Sequence, residues 1–312
     1  MFLTFSAEAN DGAVETSAGG LQLRKEHKVL MEKERLFISR GRVQVEYEFR
    51  NTSRETVVSE VAFPIPTLEY VLDDTVGRRD FPDFKVWIDG IPVHVEKEVR
   101  AFVKKREVTE ELRKAGITIE TFGNFYPNEN NNEIMKLRPA TRNRLIKIGV
   151  LKAPDNKDSF MDYWPQWKTS IKYHWRQTFP PNTVVRIKHE YQPVAGYSPV
   201  QIQDFNKTIT DSCIDANTIR EMKFRVANAM KKKPEIESYF GLGWVNYILT
   251  TANTWQTPIK DFELVVQGDK DELITFCWDG PVEKIGKVKY RAHKKNFIPE
   301  KDLRVYFYMN RW

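Results

Sequence analysis

The chain has 312 residues, 41% of them hydrophobic and 29% charged, with a formal charge of +6. These are the proportions of an ordinary globular protein, not of a disordered or low-complexity one. No apolar run approaches the roughly 20 residues that a membrane-crossing helix needs, and no nucleic-acid-binding signature accompanies the positive charge. A transmembrane segment and a nucleic-acid partner are therefore not expected. Basic triplets at Lys104–Arg106, Lys231–Lys233 and His293–Lys295 leave electrostatic contact with anionic surfaces open.

The first nine residues, Met1–Ala9, combine an apolar lead-in with Ala7-Glu8-Ala9. This is the form of a signal-peptidase site, so the segment is expected to be a signal-peptide remnant on an exported chain. Leu21–Leu23 is expected to be an entry strand. From Val43 to Phe49, Val, Val, Tyr and Phe alternate with Gln44, Glu46 and Glu48. A period of two predicts a strand with one buried and one wet face. Asn51-Thr52-Ser53 breaks the pattern, Val57–Phe63 resumes it, and Pro64 and Pro66 end it. Phe84–Ile88 is a further strand, with Asp89-Gly90 as its hairpin turn.

Glu96–Ala115 is rich in helix formers and stops at Gly116, which predicts a helix. Residues 117–166 form a long insertion with one short helical patch, Ala140–Ile148, opened by Pro139 and closed by Gly149. Long, weakly patterned insertions of this kind commonly carry function. Alternation returns over Trp167–Phe179 and, after the turn Pro180–Thr183, over Val185–Tyr191, which together predict a hairpin. Sharing one apolar layer would put Trp175 beside His189 and His174 on the other face. Asn217–Lys232 is predicted as a helix, followed by strands at Val245–Leu249, Phe262–Val266, Ile274–Trp278, Val288–His293 and Leu303–Tyr308. The whole is expected to be mainly β with some α: a β-sandwich over 10–196, bearing a helix and the insertion, and a smaller α+β part over 197–312.

Cys213 and Cys277 are the only cysteines. An even, low count in an exported chain suggests one disulfide, worth roughly 4 kcal/mol through loop closure; two buried thiols are the alternative. No His-Glu-x-x-His, Cys-x-x-Cys, Gly-x-Ser-x-Gly or phosphate-binding glycine pattern occurs. No catalytic residue, metal site or cofactor is therefore assigned. The candidate site is the insertion. Phe125, Tyr126, Asn128, Asp158, Asp162, Tyr163, Trp164 and Trp167 place aromatic rings beside amides and carboxylates. Rings with short polar groups suit a glycan or a protein segment. The alternative is a hydrolase using Asp158 and Asp162.

Two resemblances add to this reading. Val45–Ser53, Phe63-Pro64-Ile65-Pro66, Ile88-Asp89-Gly90, the following charged segment and Thr178–Val194 resemble, in order, the vault and inter-alpha-trypsin domain, a β-sandwich interaction module. Ala18–Leu21, Leu36–Ser39, Phe49–Ser53, Trp175–Phe179, Tyr247–Thr251 and Phe276-Cys277 resemble a bacterial exported family catalogued as a domain of unknown function, number four-four-two-four. That resemblance implies export and a β-rich fold, periplasmic or secreted, and some relatives look like type II secretion substrates. It supplies no catalytic residues. The expected function is an exported, non-enzymatic binding or surface-interaction protein.

Overall fold

The computed structural model describes residues 12–17, 20–69, 84–119, 133–154, 163–193, 196–201, 213–232, 239–256 and 258–310. The chain opens with β1 (Gly12–Ser17), β2 (Gly20–Leu23), β3 (Val29–Ile38), β4 (Val43–Asn51), β5 (Val57–Pro64) and β6 (Leu68–Glu69). β7 (Lys85–Ile88), β8 (Ile91–Val93), β9 (Glu96–Val103) and β10 (Arg106–Glu107) follow. α1 (Thr109–Lys114) precedes the insertion, which holds α2 (Glu133–Lys136), α3 (Pro139–Lys147), β11 (Leu151–Lys152) and β12 (Trp164–Pro165). Next are β13 (Lys168–Phe179), β14 (Val184–Tyr191), β15 (Gly196–Gln201), α4 (Ala216–Lys232) and β16 (Tyr239–Tyr247). A 3-10 turn (Thr250–Thr254) leads to β17 (Ile259–Gln267), β18 (Leu273–Phe276), β19 (Val282–Gly286), β20 (Lys289–Phe297) and β21 (Leu303–Asn310).

The fold is mainly β. Among the described residues, a seven-stranded sheet runs β10-β9-β13-β5-β1-β2, with β6 also on β13. An eight-stranded sheet runs β19-β20-β17-β3-β4-β14-β7-β8, all antiparallel except β17 on β3. Val43, Val45, Tyr47 and Phe49 point inward from one sheet, and Trp167 to Phe179 at every second position from the other. These two apolar rows face each other and make the core.

The expected hairpin at Pro180–Thr183 is instead a corner between sheets. β13 pairs with β5 and β9, and β14 pairs with β4 and β7. Each strand buries a full apolar row, and facing across the interior buries both. The Trp175–His189 contact is present, with ring centroids 5.3 Å apart, but it spans the sandwich. Asn51 pins the corner. Its Nδ2 donates to the Glu55 and Phe179 carbonyls at 2.7 and 2.8 Å, and its Oδ1 accepts from Ser53 N–H and Oγ at 2.9 and 2.8 Å.

The expected helix over Glu96–Ala115 is mostly strand; only Thr109–Lys114 is helical. Val99 and Ala101 turn inward while Glu98 and Arg100 turn outward, where Arg100 meets Glu98 at 3.1 Å and Glu107 at 2.8 Å. Pairing to β13 overrides the local preference for helix.

The later strands also depart from expectation. A four-stranded sheet, β15-β16-β21-β18, carries α4 on one face through Met222 and Val226 against Phe240, Leu242 and Tyr308. Its other face, with Val245, Tyr247, Val305 and Phe307, enters the sandwich core. β17, β19 and β20 join the eight-stranded sheet, and the Trp255 ring lies 4.7 Å from that of Phe49. The sequence on either side of residue 196 therefore shares one sheet and one core, and 10–196 is not separable from 197–312 at that level. Cys213 and Cys277 are bonded across 64 positions, tying the chain before α4 to the end of β18.

Candidate ligand-binding site

The insertion hangs on β9 and β13. Ala101 N–H donates to Thr109 Oγ1 at 3.0 Å, which seats the start of α1 against β9. Gly116, at φ +77°, ends the helix: its N–H reaches the Arg113 carbonyl at 2.9 Å, and Ile117 N–H reaches that of Leu112 at 3.0 Å. These paired bonds need a left-handed residue, hence glycine. α3 ends the same way, with Gly149 at φ +72° and Val150 N–H on the Leu145 carbonyl at 2.8 Å. Buried Ile134, Leu145, Val150 and Leu151 fasten this segment to the core.

Two contacts bring separate parts of the insertion together. Thr118 N–H donates to Glu133 Oε2 at 2.8 Å, so residues 118 and 133 are adjacent. Lys152 pairs with Trp164 and Leu151 with Pro165, so residues 152 and 164 are adjacent. Beside these closures Arg142 Nη1 donates to the Met135 carbonyl at 2.9 Å, and its guanidinium lies 5.2 Å from the centroid of the Tyr163 ring. The guanidinium is thus held over an aromatic face.

Of the expected site residues, Tyr163 and Trp164 are half-buried and sit at this closure. Trp167, just before β13, is 2% exposed and continues the buried row of that strand. Phe125, Tyr126, Asn128, Asp158 and Asp162 lie outside the described residues, as does the signal-peptide remnant.

Sequence reading missed the charge of one segment of the insertion, residues 133–152. Lys136, Arg138, Arg142, Arg144, Lys147 and Lys152 share residues 133–152 with a single acid, Glu133. Arg106, from the first basic triplet, donates to the Ile148 carbonyl and so joins the same surface. The signal was available as a local ratio of cations to acids. The third basic triplet is used internally: His293 and Lys295 reach Asp261 at 2.7 and 2.9 Å, and Lys294 lies 5.0 Å from the rings of Trp278 and Phe297. Burial alone would raise the Asp261 carboxyl, but hydrogen bonds from Arg35, Lys295 and His293 hold it well below the usual carboxylate range.

A second polar group, also missed, lies at the centre of the sandwich. The Tyr47 and Tyr247 hydroxyls are 3.1 Å apart, and Tyr247 donates to Glu34 Oε1 at 3.5 Å. A bulge between Met31 and Lys33 shifts the phase of β3 and turns Glu34 inward. His189 stands beside Tyr47, and burial lowers its pKa from 6.5 to about 3. These four groups are at most 1% exposed. They form a sealed knot in the core and not a site that a ligand enters. His174 faces outward, 2.7 Å from Glu60. Among the described residues no group of three or more His, Cys, Asp or Glu is placed to hold a metal.

A family described as a domain of unknown function (DUF4424) matches residues 9–306. The chain belongs to this family. No curated protein matches it. Among solved structures, the DUF4424 chain is similar to a candidate nutrient binding protein from Legionella pneumophila, at 16% identity and a TM-score of 0.48 over 96% of this chain and 70% of that one. It is also similar to a two-domain M1 zinc metallopeptidase variant bound to L-tryptophan, at 8% identity and a TM-score of 0.31 over 91% and 44%. At these values neither likeness bears on ligand or activity.

Proposed function

We propose that this DUF4424 protein is an exported, non-enzymatic binding protein whose insertion, residues 117–166, contacts a glycan or protein partner. One observation carries the reading: the Arg142 guanidinium over the Tyr163 ring, beside half-buried Trp164, where the contacts of 118 with 133 and of 152 with 164 draw the insertion together. A cation–aromatic surface on a rigid support offers apolar contact and hydrogen-bond donors at little cost in ordering. The Cys213–Cys277 bond supports export, because structural disulfides persist in oxidising compartments. Among the described residues no helix is long and apolar enough to cross a membrane. The alternative hydrolase would use Asp158 and Asp162, which lie outside the described residues.

The test is a screen of the purified protein on glycan and host-protein arrays, run beside a variant combining Arg142→Ala, Tyr163→Ser and Trp164→Ala. Retained ligands should lose at least tenfold in affinity with the variant, as expected for losing an aromatic–arginine anchor. Equal retention by the native protein and the variant would overturn the assignment of the site.

A further inference from the structure

Helix α4 has a face that no other element among the described residues covers. Met222 and Val226 bury one side of it, with Ala229 beside them. At about 100° per residue, the opposite pole falls on Arg220, Phe224, Ala227 and Lys231. Phe224 is 62% exposed there, Met230 is 42% exposed at its flank, and Lys223 is exposed beside them. Glu221, the acid of the helix, is held by Arg225 at 2.8 Å.

The helix cannot roll to hide this ring. The Cys213–Cys277 bond fixes the chain that enters it, and Asp215 Oδ1 accepts from Thr218 N–H at 2.8 Å. Arg225 also donates to the Asp271 carbonyl. The ring therefore projects outward between cations from a fixed support.

A protein partner would need roughly 800 Å² on each side with an apolar centre. One ring and one methionine on a convex helix do not supply that. A bilayer surface needs no matching groove: anionic headgroups meet the cations, and the ring enters the boundary with the acyl chains. We propose that the outward face of α4 binds the surface of a bilayer rich in anionic lipid, with Phe224 inserted and Arg220, Lys223 and Lys231 on the headgroups. The contact is peripheral and independent of the insertion.

Co-sedimentation of the full chain with vesicles tests this, using phosphatidylcholine alone and an equimolar mixture with phosphatidylglycerol. The protein should pellet with the mixed vesicles only, and less so as salt rises. Lys223→Ser combined with Lys231→Ser should weaken binding by about fivefold for each charge removed. Phe224→Ser should weaken it by roughly tenfold. Both variants should keep the native midpoint in urea, since these side chains face solvent. Absence of native binding to mixed vesicles would overturn the proposal, as would full binding by both variants. Loss seen only on changing Lys136, Arg144 and Lys147 to Ser would place the contact on the insertion. Retention on immobilised polyglutamate without vesicle binding would assign the face to an acidic polypeptide. Either result also overturns it.

Discussion

At His189, the rings of Tyr47, Phe63, Phe84 and Trp175 stand with centroids 5.1 to 5.6 Å away. Burial holds the imidazole neutral by lowering its pKa from 6.5 to about 3. The unfolded chain therefore binds a proton that the folded chain refuses between those two values. The contribution of His189 to stability is complete above about pH 6.5 and is lost as pH falls, at about 1.4 kcal/mol per pH unit toward pH 3. His189→Phe keeps an aromatic ring and removes the titration. Urea unfolding at pH 7.0, 5.5 and 4.5 should show the native protein losing stability faster than the variant. Parallel curves would mean that His189 is protonated in the folded state.

At the scale of elements, strands with an unbroken period of two were legible from sequence, and those with a displaced phase were not. β4, β13 and β14 alternate without interruption, and their buried rows are those the sequence predicts. Gly116 and Gly149 end their helices as expected, because only a residue at ease with positive φ makes the paired terminal bonds. The first half of β3 was hidden by its bulge, because Glu32 and Lys33 look like loop until one extra residue is allowed, whereas the sequence from Glu34 onward reads as strand. β9 was hidden because alternating Glu, Lys and Arg are also good helix formers. The bulge gives a sharp prediction. Deleting Glu32 removes the extra residue and leaves every other β3 residue opposite its partner on β4. That variant should fold with a near-native urea midpoint and lose only the solvent-facing Glu32–Arg50 pair. Deleting Gln44 from the regular strand β4 flips its neighbours to the wrong face and should abolish folding. Circular dichroism of the two purified variants distinguishes them, and equal damage would contradict the bulged register of β3 on β4.

For the whole molecule, long-range pairing decided what sequence could not. β17 lies parallel to β3 across more than two hundred intervening residues, and no local pattern announces that. The division expected at residue 196 dissolves for this reason. The candidate site was legible only at its edge: Tyr163 and Trp164 are surface groups of the insertion, Trp167 is core, and the cations of α3 went unread. The disulfide belongs to this scale too, since it fastens the chain entering α4 to the end of β18, a strand of the sheet that α4 covers, across 64 positions. Cys213→Ser with Cys277→Ser should cost roughly 4 kcal/mol, read as a lower urea midpoint. An unchanged midpoint would mean that the bond constrains nothing in the unfolded chain. The central claim is that the insertion meets the ligand. Hydrogen–deuterium exchange, with and without the first partner retained in the array screen, tests it most directly. Slowed exchange in peptides covering residues 133–152 and 163–166 is the predicted result. Slowed exchange confined to α4 or to the sheets, with the insertion unchanged, would contradict it.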